Sequence, residues 1–228
     1  MRNKVCAVIL AAGSGSRMNL PITKQRLTVF GESILHRTAR AFDSSEVIDY
    51  IVVVTRADEI EYATSELSDI GKLVAIKEGG KTRAESAACG FALVPDDAAY
   101  VAIHDAARCY LEGGVIEKVV RDAKIYGAAT ASHVVTDTVK IVDGDFIKST
   151  ANRESLRTVQ TPQVFEYDLY KRALLAGDTD GVTDDNMLVE RVGGRIFCTE
   201  TGSRNIKITF PEDVQLLEYY LRRQEDGM

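Results

Sequence analysis

Val5-Cys6-Ala7-Val8-Ile9-Leu10-Ala11-Ala12-Gly13-Ser14-Gly15-Ser16-Arg17-Met18 is an apolar run that ends in a glycine turn carrying a cation. An unbroken run of this kind predicts a strand buried on both faces, as in a parallel sheet. Gly13 and Gly15 let backbone N–H groups approach an anion with no Cβ in the way. Arg17 adds a planar fork of donors suited to phosphate, and Lys24 follows in Pro21-Ile22-Thr23-Lys24-Gln25. A strand, a glycine loop and two cations at the head of the chain predict a grip for a nucleoside triphosphate. Reactions at a triphosphate are catalysed mainly by positioning and by stabilising charge.

Spacing separates this loop from two others. A dinucleotide fingerprint needs a third glycine where Met18 stands, and an acid at the end of the second strand, where the chain has Thr55-Arg56. The G-x-x-x-x-G-K-[ST] string of a Walker loop does not occur. A glycine turn serving only the path of the chain would not need both Arg17 and Lys24.

Outward from this loop the sequence alternates strand and helix. Ser33 predicts a helix cap for a helix through about Phe42, and Tyr50 to Thr55 is a β-branched strand. Ala57 to Ile70 reads as an amphipathic helix, Lys72 to Lys77 as a strand and Thr82 to Leu93 as a helix. Ala99 to His104 and Ala128 to Val135 are strands, with Glu112 to Tyr126 helical between them. The pattern predicts an α/β fold: a Rossmann-like, mostly parallel twisted sheet with helices on both faces. Thr138 to Ile147 breaks the rhythm, alternating around Asp143-Gly144 as a hairpin does. This protruding β-arm, at about 136–155, has little local core and is expected to pack on a partner subunit. Helices near Glu166 to Ala176 and Thr183 to Val192, a strand at Arg195 to Thr199 and a helix from Pro211 to Arg223 complete one domain spanning 1–228.

Composition narrows the function. The chain has 228 residues and a formal net charge of -6, which argues against general affinity for nucleic acid. No apolar run reaches the length of a membrane span, and the N-terminus passes into the first strand without a signal-peptide pattern. Cys6, Cys89, Cys109 and Cys198 lack metal-ligand spacing, so reduced thiols in a cytoplasmic protein are expected, with Cys6 and Cys198 in the core.

In an open parallel sheet, ligands sit beyond the carboxyl ends of the strands. Gly79-Gly80-Lys81-Thr82-Arg83 follows the third strand; its glycines admit a flat base, and Ser86 on the next helix can bond the base edge. His104-Asp105-Ala106-Ala107-Arg108 follows the fourth strand. Asp105 offers a hard oxygen to a ribose hydroxyl or a divalent ion, the alanines leave room, and Arg108 can meet phosphate. His104 by itself reads as a satisfied structural histidine. Thr138 with Arg153, Thr161-Pro162-Gln163 and Asn205-Ile206-Lys207-Ile208-Thr209 suit a second, phosphorylated substrate. Thr183-Asp184-Asp185 reads most simply as a helix cap, with a metal role as the lesser alternative.

Taken together, these motifs resemble the 2-C-methyl-D-erythritol 4-phosphate cytidylyltransferase family of the non-mevalonate isoprenoid pathway. The matching segments are collinear and cover nearly the whole chain: residues 11–18, Lys24-Gln25, Gly79-Gly80 with Arg83 and Ser86, 104–108, Asp137-Thr138, 160–163, 183–185 and 205–209. The resemblance implies a Mg²⁺-dependent reaction of CTP with an alditol phosphate that releases pyrophosphate, in a homodimer whose β-arm reaches the neighbour's site. It implies catalytic roles for Arg17, Lys24, Arg153 and Lys207. It implies CTP contacts from Ala11, Ala12, Gly13, Gly15, Gly79, Gly80, Arg83, Ser86, Asp105 and Ala106. It implies alditol-phosphate contacts from Arg108, Thr138, Arg153, Thr161 and Lys207. Mg²⁺ is expected to be held largely by the triphosphate, and no protein metal ligand is assigned. The chain departs from the family at Cys109 and Thr23, where proline is usual, at Lys81, where many members carry an acid, and at Asn186, where a small residue is usual.

Three other families of protein share parts of this pattern. Ribitol-5-phosphate cytidylyltransferases share the chemistry but tend to show His-Asp-Ser-Val-Arg, where this chain has Ala106 and Ala107. A non-catalytic nucleotide-binding module would bind CTP without releasing pyrophosphate. A molybdopterin guanylyltransferase is disfavoured by the arm and by Thr161-Pro162-Gln163.

Overall fold

The computed structural model of the chain describes residues 2–13, 18, 22–177 and 179–225. Its elements in chain order are β1 (Lys4–Leu10), β2 (Thr28–Val29), β3 (Glu32–Ser33), α1 (Ile34–Asp43), β4 (Tyr50–Thr55), α2 (Ile60–Glu66), β5 (Leu73–Glu78), α3 (Arg83–Phe91), β6 (Ala98–Asp105), α4 (Val115–Tyr126), β7 (Ala128–Val134), β8 (Lys140–Asp143), β9 (Phe146–Thr150), β10 (Arg157–Glu166), α5 (Tyr167–Leu175), α6 (Asp185–Arg191), β11 (Phe197–Glu200) and α7 (Pro211–Glu225).

Seven strands form the main sheet in the order β11-β7-β10-β6-β1-β4-β5. β1 is central, parallel to β4 on one side and to β6 on the other. Its side chains alternate between two apolar layers. Val5, Ala7 and Ile9 face a cluster with Leu35, Phe42, Leu67 and Val119 from α1, the residue after α2, and α4. Cys6 and Val8 face Phe91, Tyr170 and Leu188 from α3, α5 and α6 on the other side. Both faces are thus covered, which is why the β1 sequence is apolar throughout rather than alternating. α3 lies very close to the sheet: a Cβ on Gly90 would come within 2.3 Å of Val8 Cγ1 and 2.7 Å of Val54 Cγ2. Ser33 does cap α1, its side chain accepting from the His36 N–H.

The sequence reading missed β10. No element was assigned to the segment carrying Thr161-Pro162-Gln163 ahead of the helix near Glu166; it is the interior of a ten-residue strand. β10 is antiparallel to both β6 and β7, and its ladder with β7 shifts register between Val159 and Gln163, around Pro162. A proline has no N–H for the ladder, and the irregularity accommodates it. Cys198 is also corrected: it is exposed, because β11 is the edge strand, whereas Cys6 is fully buried.

The predicted arm is present. β8 and β9 pair antiparallel away from the main sheet, and all their residues are exposed, Phe146 by 82%. A third apolar cluster joins α7, through Leu217 and Leu221, to Ile34, Cys109 and Ile208. That packing holds the segment before α7 against the residues that follow β6, where Ile208 N–H donates to Ala107 O at 2.8 Å. No helix is long and apolar enough to cross a membrane among the described residues.

Candidate active site

The carboxyl ends of the parallel strands open into a cleft of about 400 Å³. Backbone bonds lock its floor: Ala11 N–H donates to Val54 O at 2.6 Å, Gly79 N–H to Thr55 O at 2.8 Å and Ala106 N–H to Leu10 O at 3.0 Å. The lining brings together Leu10, Ala12, Gly13, Lys24, Gln25, Gly80, Lys81, Thr82, Arg83, Ser86, Asp105, Ala107, Lys207 and Thr209. Four of these side chains are cationic and one is a carboxylate, so an acidic chain concentrates positive charge here. Such a cleft attracts polyanions.

Of the expected residues, Ala12, Gly13, Lys24, Gly80, Arg83, Ser86, Asp105 and Lys207 meet in this lining. Gly15 and Arg17 lie outside the described residues. Gly79 sits just beneath the lining, where a Cβ would come within 2.7 Å of Ser86 Oγ and 2.8 Å of the Ala12 Cβ. Only glycine fits there. Ala11 is buried and its carbonyl accepts from Gln25 Nε2 at 2.6 Å. Ala106 is fully buried, with its carbonyl taken by Thr38 Oγ1 at 2.7 Å, and the cleft is lined by Ala107 instead.

Asp105 is the electrostatic hub. Arg83 Nε donates to its Oδ1 at 3.0 Å and Lys207 Nζ to its Oδ2 at 2.6 Å. Burial alone would raise the Asp105 carboxyl, but Arg83 and then Lys207 hold it well below the usual carboxylate range. Behind the cleft, Arg83 Nη1 donates to Asp185 Oδ2 at 2.6 Å, and the Tyr170 hydroxyl donates to Asp185 Oδ1 at 2.5 Å. Asp184, not Asp185, caps α6, accepting from the Met187 N–H.

The acceptor-side residues divide. Lys207 is in the cleft, and Lys24 Nζ reaches Ile208 O at 3.4 Å. Arg108 lies below, its Nη1 donating to Asn205 O at 2.6 Å. Thr161 is buried in β10; its hydroxyl accepts from the Asp105 N–H and bonds His104 Nδ1, both at 3.1 Å. It supports the Asp105 backbone rather than lining the cleft. His104 is satisfied internally, as expected: Nε2 donates to Arg108 O at 3.1 Å, and burial pushes its pKa down to about 3. Arg153 and Thr138 are elsewhere. Arg153 Nη1 donates to Thr136 O at 2.7 Å at the base of the arm, beside a separate open hollow of about 460 Å³, and Thr138 is exposed.

The sequence reading gave no role to Gln25, Tyr170 or Asp185 in this arrangement. Gln25 had a signal, its place directly after Lys24. Its carboxamide nitrogen donates to the Ala11 and Gly13 carbonyls at 2.6 and 3.2 Å, which pairs both oxygens and ties the turn to the end of β1. Tyr170 had none, since it is one apolar position of an amphipathic helix. Among the described residues no group of three or more His, Cys, Asp or Glu side chains could hold a metal, and Asp105 is the one carboxylate in the lining.

Comparison with known proteins gives a consistent picture. The family model of 2-C-methyl-D-erythritol 4-phosphate cytidylyltransferase matches residues 5–223. A protein of that name from Clostridium novyi is 43% identical over 227 residues, covering 96% of this chain and 97% of that protein. One from Caldanaerobacter subterraneus is 39% identical over 225 residues, covering 96% and 99%. The crystal structure of 4-diphosphocytidyl-2C-methyl-D-erythritol synthase from Anaerococcus prevotii superposes with a TM-score of 0.86 at 28% identity, covering 98% of this chain and all of that one.

Proposed function

Because the chain belongs to the 2-C-methyl-D-erythritol 4-phosphate cytidylyltransferase family, we propose that the cationic cleft at the ends of β1, β5 and β6 is where it joins its two anionic substrates. The enzyme transfers CMP from CTP to 2-C-methyl-D-erythritol 4-phosphate, giving 4-diphosphocytidyl-2-C-methyl-D-erythritol and pyrophosphate. The observation that carries the site is the convergence of Lys24, Arg83 and Lys207 around Asp105 from three distant parts of the chain.

The acceptor phosphate oxygen is already anionic, so no general base is needed. That oxygen bonds to the α-phosphorus while the Pα–O bond to the β-phosphate breaks, and pyrophosphate leaves with the electron pair. The obstacle is like charge: two unit charges ~4 Å apart repel by roughly 4 kcal/mol at an effective dielectric near 20. Lys24, with Arg17, offsets the charge growing at the α-phosphate. Lys207 holds the acceptor phosphate, with Arg108 behind it. Gly79, Gly80, Arg83 and Ser86 enclose the cytosine, and Asp105 meets the ribose. Ala11, Ala12, Gly13, Gly15 and Ala106 shape the backbone around the nucleotide. Among the described residues Asp105 is the one carboxylate in the lining, and Arg83 and Lys207 engage both its oxygens, so an ion arriving on the triphosphate would keep chiefly its phosphate oxygens as ligands. A divalent cation such as Mg²⁺ bound there would neutralise phosphate charge and polarise the α-phosphorus.

Arg153 and Thr138 do not line the cleft of their own chain, and Arg153 lines a separate hollow. We therefore assign them to the second active site of a homodimer, delivered by the exposed arm across the subunit boundary, while Thr161 supports Asp105 within its own chain. The apolar side chains exposed on β8 and β9 support such a docking. On this reading residues 1–228 form one catalytic unit acting in the cytoplasm, which its free thiols favour.

Pyrophosphate release tests the assignment. It should proceed with CTP and 2-C-methyl-D-erythritol 4-phosphate and be slower with ribitol 5-phosphate. With the preferred acceptor, kcat/KM should fall below about pH 6, where the substrate phosphate takes up its second proton. His104 is neutral above about 3, so it adds no limb at working pH. Preference for ribitol 5-phosphate, or an acid limb that His104→Asn abolishes, would contradict the reading.

A further inference from the structure

Lys24 rides on a single turn, Lys24–Arg26, that has no side-chain cap. Such a turn does not fix a long side chain unless it is tied to something rigid. Gln25 ties it inward, to the Ala11 and Gly13 carbonyls. Arg26 ties it outward. Its Nε donates to Glu59 Oε2 at 2.7 Å, and its guanidinium carbon lies 4.2 Å from the centre of the Tyr62 ring. Glu59 is only 8% exposed and ends the turn leading into α2, which is rooted in the sheet core by Ala63. Arg26 is absent from the cleft lining, so its charge does not act on substrate by contact.

We infer that Arg26 is a positioning residue: clamped between Glu59 and Tyr62, it anchors the turn that presents Lys24 to the α-phosphate. The inference rests on the role given to Lys24 above. A guanidinium suits the task because it bonds a carboxylate edge-on while stacking on a ring, which an ammonium does not reproduce. The clamp acts through geometry, and a misplaced group costs turnover rather than substrate affinity.

A double-mutant cycle with Lys24 tests it, reading kcat, KM for CTP and Tm. Arg26→Ala should lower kcat about tenfold with a smaller change in KM, a modest share of what misplacement can cost. In a Lys24→Ala background the same substitution should lower kcat no further, although Tm falls equally in both backgrounds. Arg26→Lys, which keeps the charge and solubility, should give the same pattern at smaller amplitude and serves if Arg26→Ala fails to fold. An unchanged kcat in the native background, or the same fold-loss in both backgrounds, would overturn the inference while leaving the role of Lys24 intact. Near-native turnover of Lys24→Ala alone would instead remove the premise, and that is read from the single variant.

Discussion

Lys24→Ala should lower turnover by about 10²-fold or more, the loss typical of removing one preorganised donor from a transition state. The side chain is half-buried on a turn that Gln25 and Arg26 hold independently, so its removal leaves the fold in place. On the role proposed for Lys24, its charge is needed most as the α-phosphate becomes five-coordinate, less when CTP first binds. The loss should therefore appear mainly in kcat, with KM for CTP moving less. Lys207→Ala should behave differently. Its ammonium is paired with Asp105 at 2.6 Å, and we assign it to the acceptor phosphate, so KM for the alditol phosphate should rise as turnover falls. Steady-state kinetics with each substrate varied will separate the two. Near-normal turnover of a folded Lys24→Ala enzyme would remove that residue from the chemistry.

The second large effect is on stability. Asp185→Ala should destabilise the protein by about 3 kcal/mol, the lower end for removing one partner of a buried ion pair. The lower end applies because Arg83 keeps Asp105 at 3.0 Å. Asp185 is fully buried, and its two oxygens are taken by Arg83 at 2.6 Å and by the Tyr170 hydroxyl at 2.5 Å. Burial pushes its carboxyl upward, and Arg83 pulls against that. Truncation leaves the Tyr170 hydroxyl without its acceptor beneath stacked Phe165 and opens a void in the same layer. For a chain of this length the midpoint of thermal unfolding should fall by about 6–12 °C. Asp185→Asn, which keeps an acceptor for Tyr170, should lose less. A shift under about 2 °C for the alanine variant would mean that the pair is not needed to hold Arg83.

The sequence was most informative where one local pattern carries both fold and chemistry. β1 is covered on both faces, so its apolar run announces a central parallel strand. The residues that follow β1, β5 and β6 must then lie at one edge of the sheet, and Lys24, Gly80, Arg83, Asp105 and Lys207 do meet there. It was least informative where local chemistry and context conflict. Pro162 and its neighbours have the composition of a loop, yet sheet pairing on both sides of β10 outweighs it. Cys198 looks like a core residue in isolation, and only its place on the edge strand exposes it. The Arg83–Asp185–Tyr170 chain joins positions up to about a hundred residues apart, with no periodicity to reveal it. The same holds for Arg26, Glu59 and Tyr62. The hairpin of the arm was legible from Asp143-Gly144, but what its exposed apolar side chains meet depends on assembly, which no local pattern encodes.

The central claim is that each active site combines a cleft from one subunit with Arg153 from the other. Subunit mixing tests it most directly. Lys24→Ala and Arg153→Ala, each nearly inactive alone, should be unfolded together, refolded as a mixture and assayed for pyrophosphate release from CTP. If the arm crosses the boundary, each mixed dimer regains one intact site, and the mixture should recover about a quarter of wild-type activity under random pairing. If Arg153 serves the cleft of its own chain, every site keeps a defect and no activity returns, which would contradict the account.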